Sequence, residues 1–192
     1  MKAVLLALGS LYLLTQSPAG LPAQAAEMLP PGLPIDGQDR PVLLGATTVQ
    51  AILAHRAIFR ENLAKVKLTS ELKARWKAVR RPLTLVAVFG SWCGDSHRQL
   101  PGLLALEAEP NPFIAVSYVG VNHDKAVPEG VWPKGCAPQA AVRVPTFFLF
   151  ALQPGGSQKW VGSVVETPPR EGQSMAEALV ELVEAADKGP AR

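Results

Sequence analysis

From Thr47 onward, apolar residues recur first at helical spacing and then at strand spacing, and the changes of period divide the chain into elements. Val49, Ile52, Leu53, Ile58 and Leu63 fall on one face of a helix that Thr47 or Thr48 can cap. A second helix is predicted over Ser70–Arg80, with Leu72, Trp76 and Val79 inward. Pro82 ends it, because the residue before a proline is pushed out of helical geometry. The run "LTLVAVFG" (83–90) is almost unbroken in its apolarity and rich in β-branched residues, as suits a central strand buried on both faces. A turn and a helix from about Ser96 to Glu107 follow, with Leu100, Leu103, Leu104 and Leu106 as inward positions, and "FIAVSYVG" (113–120) is the next strand. This strand, helix, strand order is a βαβ unit with an expected right-handed crossover.

The second half has a different order. "VNHDKAVPEGVWPKG" (121–135) is loop-like, and "CAPQAAV" (136–142) is expected to form a short helix. "VPTFFLFAL" (144–152) is a strand, "QPGGS" (153–157) a turn, and "KWVGSVVE" (159–166) the antiparallel partner. Ser174 and Glu177 form an S-x-x-E capping box for a last helix, with Leu179, Val180, Leu182 and Val183 on its apolar face and Gly189 just past its end.

Upstream, residues 27–46 are rich in Pro and Gly without a sustained period and read as an extended linker. The first residues have the pattern of a secretory signal: Lys2, the apolar core "AVLLALGSLYLL" (3–14) and the small-x-small site Ala23-Gln24-Ala25. The apolar core is shorter than the roughly 20 residues of a membrane span, so no stable membrane insertion is expected after cleavage. The chain thus divides into a signal peptide (1–25), a linker (26–46), a helical extension (47–81) and a folded domain (82–188). The expected location is exported, periplasmic or secreted.

With 192 residues, 48% of them hydrophobic and 18% charged, the chain has ample material for one core. Its formal charge of +3 is dispersed, and no basic stripe with interleaved aromatics occurs, which argues against a nucleic-acid partner. Two cysteines, Cys93 and Cys136, permit at most one bridge and exclude a disulfide-stapled scaffold.

The stretch "FGSWCGDSHRQLP" joins the first core strand to its helix, and it resembles the active-site segment of the thioredoxin-like superfamily. Trp92 and Cys93 stand at the strand-to-helix turn, Pro101 matches the family's helix-kinking proline, and "VPTFFLF" resembles the segment carrying its cis-proline, here Pro145 followed by Thr146. The likeness covers about residues 47–186 and is closest to a subgroup with a single-cysteine W-C-x-D-S-x-R-x-x-P motif. It implies an α/β thioredoxin-like fold, a βαβ-α-ββα mixed sheet flanked by helices, behind an N-terminal helical extension. It also implies that Cys93 is the nucleophile and that Trp92, Val144, Pro145 and Thr146 contact substrate. The physics agrees with the first role: a cysteine just before a helix meets free N–H groups and the positive end of the dipole, which favour the thiolate nucleophile.

Ser96 stands where dithiol members have their second cysteine. It cannot resolve a mixed disulfide, although its hydroxyl can donate a hydrogen bond to a Cys93 thiolate. Asp95 either opposes a second negative charge or serves as a first-turn helix carboxylate. The leading reading is therefore monothiol thiol–disulfide exchange, with protein thiols or disulfides, or small thiols such as glutathione, as partners and with resolution by an external thiol. It calls for no cofactor and no metal. The alternative is a non-catalytic module that binds protein segments in the cis-proline groove. A third reading, metal carriage, would use Cys93, His97 and His123, although copper-handling members of the wider fold usually offer two cysteines and a histidine. Cys136 is expected to be a free or intermolecular thiol rather than a resolving partner, and Arg98 an exposed helix arginine.

Overall fold

The computed structural model describes residues 41–189. The proposed signal peptide, and the linker as far as residue 40, lie outside them. Five strands form one sheet in the order β1-β3-β2-β4-β5. The first, β1 (Gly45–Thr47), precedes three short helices, α1 (Val49–His55), α2 (Ala57–Leu63) and α3 (Ser70–Ala78). Then come β2 (Leu83–Phe89), α4 (Gly94–Glu107), β3 (Ile114–Gly120), β4 (Thr146–Leu152), β5 (Gln158–Val165) and α5 (Met175–Asp187). β2 and β3 run parallel across the α4 crossover, while β4 and β5 pair antiparallel to their neighbours. This is the mixed α/β, thioredoxin-like fold that the resemblance implies.

Every residue of β2 is buried, and the period of two sorts its side chains between two cores. Leu83, Leu85, Ala87 and Phe89 pack with Phe147 and Leu149 of β4 beneath the helices, against Phe59, Trp76, Leu100, Leu103 and Leu179. Val86 and Val88 point the other way, with Phe148 and Phe150, and are covered by Val121, Cys136, Ala141 and Val144 from the segment between β3 and β4. Polar side chains mark the helix starts. Thr48 and Thr69 accept N–H bonds at the heads of α1 and α3, and Ser174 and Glu177 form the reciprocal capping box of α5.

Three expectations change. The helix predicted from Thr47 is two helices, because Arg56 is extended (φ −140°, ψ 131°) and its guanidinium donates to Pro41 O at 3.0 Å. The end of the expected linker is folded: Val42 and Leu43 are buried, and Gly45–Thr47 pair antiparallel with Tyr118–Gly120 at the sheet edge. Residues 136–142 are not helical. Gly135 has φ +85°, Cys136 bridges Gln158 in parallel register, and Pro138 has no N–H to continue a helix. The second face of the sheet therefore has an irregular cover where a helix was anticipated.

The tightest approach of this N-terminal strand is at Gly120, where an added Cβ would lie 2.3 Å from Leu43 O and 2.7 Å from Leu43 C. Backbone cannot yield there as a flexible side chain would. Gly120→Ala is expected to destabilise the fold by roughly 1–3 kcal/mol, read from the urea midpoint. An unchanged midpoint would contradict the packing of residues 42–47 on β3.

Candidate functional site

β2 delivers its last residues into a turn, Gly90–Cys93, whose geometry is set by the N-terminal segment, by α4 and by the segment between β3 and β4. Cys93 N donates to Gly90 O at 2.9 Å, closing the turn. Cys93 is then the N-cap of α4, in extended geometry (φ −85°, ψ 127°), and its carbonyl accepts the His97 N–H at 3.0 Å. Gly90 has a steric reason: a Cβ there would stand 2.7 Å from the Trp92 indole. The indole Nε1–H donates to Val121 O at 3.0 Å, and its ring stacks on His123 with centroids 3.9 Å apart.

Cys93 is a partly exposed free thiol whose Sγ donates to Val144 O at 3.2 Å. The Val144–Pro145 peptide bond is cis. Thr146 Oγ1 donates to Arg143 O at 2.6 Å, and Pro145 O accepts Glu166 N–H at 2.7 Å, so the turn before β4 is tied at both ends. The structure thus brings Trp92, Cys93, Val144, Pro145 and Thr146 to one end of the sheet, where β2 finishes and β4 begins.

Ser96 takes a different part from the one anticipated. It is fully buried, and its hydroxyl accepts the Gly90 N–H at 3.2 Å. The sulfur bonds to the Val144 carbonyl, while the Ser96 oxygen is engaged with the turn. The reason is helical direction: the third residue of α4 points inward beneath the turn, toward Gly90 N–H, which β2 leaves without a ladder partner. Asp95 lies in the first turn of α4 and pairs with Arg98, whose side chain is mostly exposed. That pairing fits the helix-carboxylate alternative.

His97 and His123 are not assembled with Cys93 into a ligand set. The His97 ring lies against the Ser91 carbonyl and the edge of Phe59, whereas His123 is stacked on Trp92. Among the described residues there is no group of three or more His, Cys, Asp or Glu side chains able to hold a metal ion.

Cys136 is buried, which pushes its thiol pKa up. Its backbone bridges Gln158, whose side chain donates to Thr84 Oγ1 at 3.1 Å near the opening end of β2. Cys93 follows the closing end of the same strand. Thr84 to Gly90 is about 20 Å of extended chain, whereas a disulfide needs Cα atoms within about 7 Å. The two cysteines occupy opposite ends of the sheet.

Sequence reasoning missed the part taken by Ser91, which is buried and whose Oγ accepts Leu43 N–H at 3.0 Å. The signal was a small polar residue inside an otherwise apolar strand-to-turn run. It also missed His55 at the end of α1. Burial lowers the His55 pKa to about 4, with help from the charges of Arg56 and His97. Between pH 6.5 and 4 the unfolded chain therefore binds more protons at this site than the folded chain. The stability from neutral His55 is complete above pH 6.5 and lost as pH falls toward 4. His55→Asn should remove that component, so the stability gap between wild type and variant should narrow through this window. Urea titrations at matched pH check it, and a constant gap would contradict it.

A family model described as thioredoxin matches residues 47–162, more than half of the chain. A crystal structure of a protein of unknown function from Pseudomonas aeruginosa is 19% identical, with a TM-score of 0.49 over 72% of this chain and 90% of its own. An HIV epitope-scaffold is 18% identical, with a TM-score of 0.46 over 74% of this chain and 91% of its own. No curated protein matches the chain in sequence.

Proposed function

The chain belongs to the thioredoxin family, and from that premise we propose that it performs thiol–disulfide exchange through Cys93 alone, as a member of a single-cysteine W-C-x-D-S-x-R-x-x-P subgroup. The observation that carries the reading is the Cys93 Sγ–Val144 O contact of 3.2 Å, which sets a partly exposed sulfur beside the Val144–Pro145 peptide at a helix N-terminus. In the forward step the Cys93 thiolate attacks one sulfur of a partner disulfide. A Cys93–partner S–S bond forms, the partner's own S–S bond breaks, and the second partner sulfur leaves as thiolate. An external thiolate, that of glutathione or of a protein, then attacks the partner sulfur of the mixed disulfide: a new partner–external S–S bond forms, the Cys93–partner bond breaks, and Cys93 leaves as thiolate. No cofactor or metal enters either step. Ser96 holds the turn, and Cys136 stays at the far end of the sheet.

A groove of about 480 Å³ favours polypeptide partners over small thiols alone. It starts at Thr146 and Arg143 and is lined by Val142, Phe148, Trp160 and Val165. Val142 is 79% exposed and Trp160 48%, so the groove that runs from the cis-proline turn along β4 and β5 offers open apolar surface among its polar lining. The same groove favours the second reading, a module that binds protein segments without turnover.

We assign residues 82–188 to the thioredoxin-like domain and 47–81 to a helical extension in front of it. The leader pattern of residues 1–25 supports export to a compartment where thiols are oxidised. No helix among the described residues is long and apolar enough to cross a membrane.

Incubation with oxidised glutathione, followed by intact-mass and peptide analysis, is expected to yield one adduct, on Cys93. It should be absent in Cys93→Ser and unchanged in Cys136→Ser. Insulin reduction with a thiol reductant should show Cys93-dependent turnover. Partner capture that survives Cys93→Ser, without turnover in the wild type, would replace exchange by the binding reading.

A further inference from the structure

The exchange chemistry makes no use of His97, yet this residue touches the reactive turn at two points. Its backbone N–H donates to Cys93 O at 3.0 Å, and its ring Nε2 lies 2.9 Å from Ser91 O. A carbonyl oxygen only accepts, so Nε2 must bear the hydrogen. One residue therefore grips both ends of Ser91–Trp92–Cys93. The ring is itself held in place. Phe59 of α2 meets it edge-on with centroids 5.0 Å apart, and Asn62, also in α2, donates to His97 O at 2.9 Å. Ser91 is anchored a second time through its hydroxyl, which accepts Leu43 N–H at 3.0 Å.

The direction in which Cys93 presents its sulfur follows from the backbone angles of this short turn. The chain has no second cysteine at position 96 to restrain it, and Cys93 makes no side-chain cap bond of its own. Within the turn, on the Cys93 side of Gly90, the bond at the Ser91 carbonyl is the one made by a side chain of the helix that Cys93 caps. We propose that His97 is a positioning residue for Cys93: its Nε2–H holds the Ser91 carbonyl and so fixes the turn that aims the sulfur at the Val144–Pro145 peptide. This rests on the reading of Cys93 as the nucleophile. It also gives α2 a part in the site, because Phe59 packs on the ring that holds the turn and Asn62 holds the backbone carbonyl of the same residue.

A glutamine side chain can place an amide N–H near the position of the imidazole Nε2, whereas leucine fills similar space with no donor. The rate of Cys93 mixed-disulfide formation with oxidised glutathione is expected to fall about tenfold in His97→Leu, the scale of one lost hydrogen bond, and to recover to near the wild-type rate in His97→Gln. A wild-type rate in His97→Leu, or a His97→Gln variant as slow as His97→Leu, would overturn the proposal. A second measurement needs no substitution. Long-range ¹H–¹⁵N correlation on the wild-type protein should report Nε2-protonated His97, and a neutral Nδ1–H tautomer would overturn the clamp even if His97→Leu failed to fold. A wild-type protein that forms no adduct on Cys93 would instead refute the exchange reading, while the tautomer still decides the clamp.

Discussion

The turn from Gly90 to Cys93 is where the buried strand β2 becomes the helix α4, and the rest of the site depends on how it is held. Each of its residues is tied by a group from elsewhere in the chain. Ser96 takes the Gly90 N–H, Leu43 and His97 take the two ends of Ser91, Val121 takes the Trp92 indole, and Val144 takes the Cys93 thiol. Buried backbone groups that leave a strand must find partners or lose the stabilisation that hydration gave them. Here those partners come from the N-terminal segment, from α4 and from the chain before β4. The same bonds that satisfy the turn therefore bring the remote pieces of the site together.

The sheet around this turn is asymmetric. Helices cover one face with large aliphatic and aromatic side chains, whereas the other is roofed by the irregular segment between β3 and β4. The irregular roof leaves Val142 in solvent, close in sequence to the cis-proline turn, and Trp160 of β5 is half exposed on the same groove. Packing that is incomplete on that side leaves a surface on which a partner chain can bury apolar area. Cys136 belongs to the roof but sits at the opposite end of the sheet, so its chemistry is separated from that of Cys93.

Much of this was legible in the sequence because it depends on local period. The all-buried β2 and the capping box at Ser174 and Glu177 could be read from neighbouring residues, and the Trp92-Cys93 and Val144-Pro145 pairs from the family resemblance. What could not be read depends on contacts distant in sequence. Nothing in "VQAILAHRAIF" announces that Arg56 breaks the helix, because its guanidinium is drawn to Pro41 by the folded N-terminal segment. "CAPQAAV" has helix-forming alanines, but the bridge from Cys136 to Gln158 overrides them. Ser96 looked like a substitute for sulfur because position 96 is defined by its offset from Cys93. Its actual partner, Gly90, lies six residues earlier, across the turn.

The central claim is that one thiol, held by this turn, acts without an internal partner. The direct test is to oxidise the protein with diamide in the absence of any other thiol and to map its disulfides by non-reducing peptide mass spectrometry. The account predicts no Cys93–Cys136 linkage within a chain, with Cys93 free or joined to a second molecule. An intramolecular Cys93–Cys136 disulfide in folded protein would contradict it.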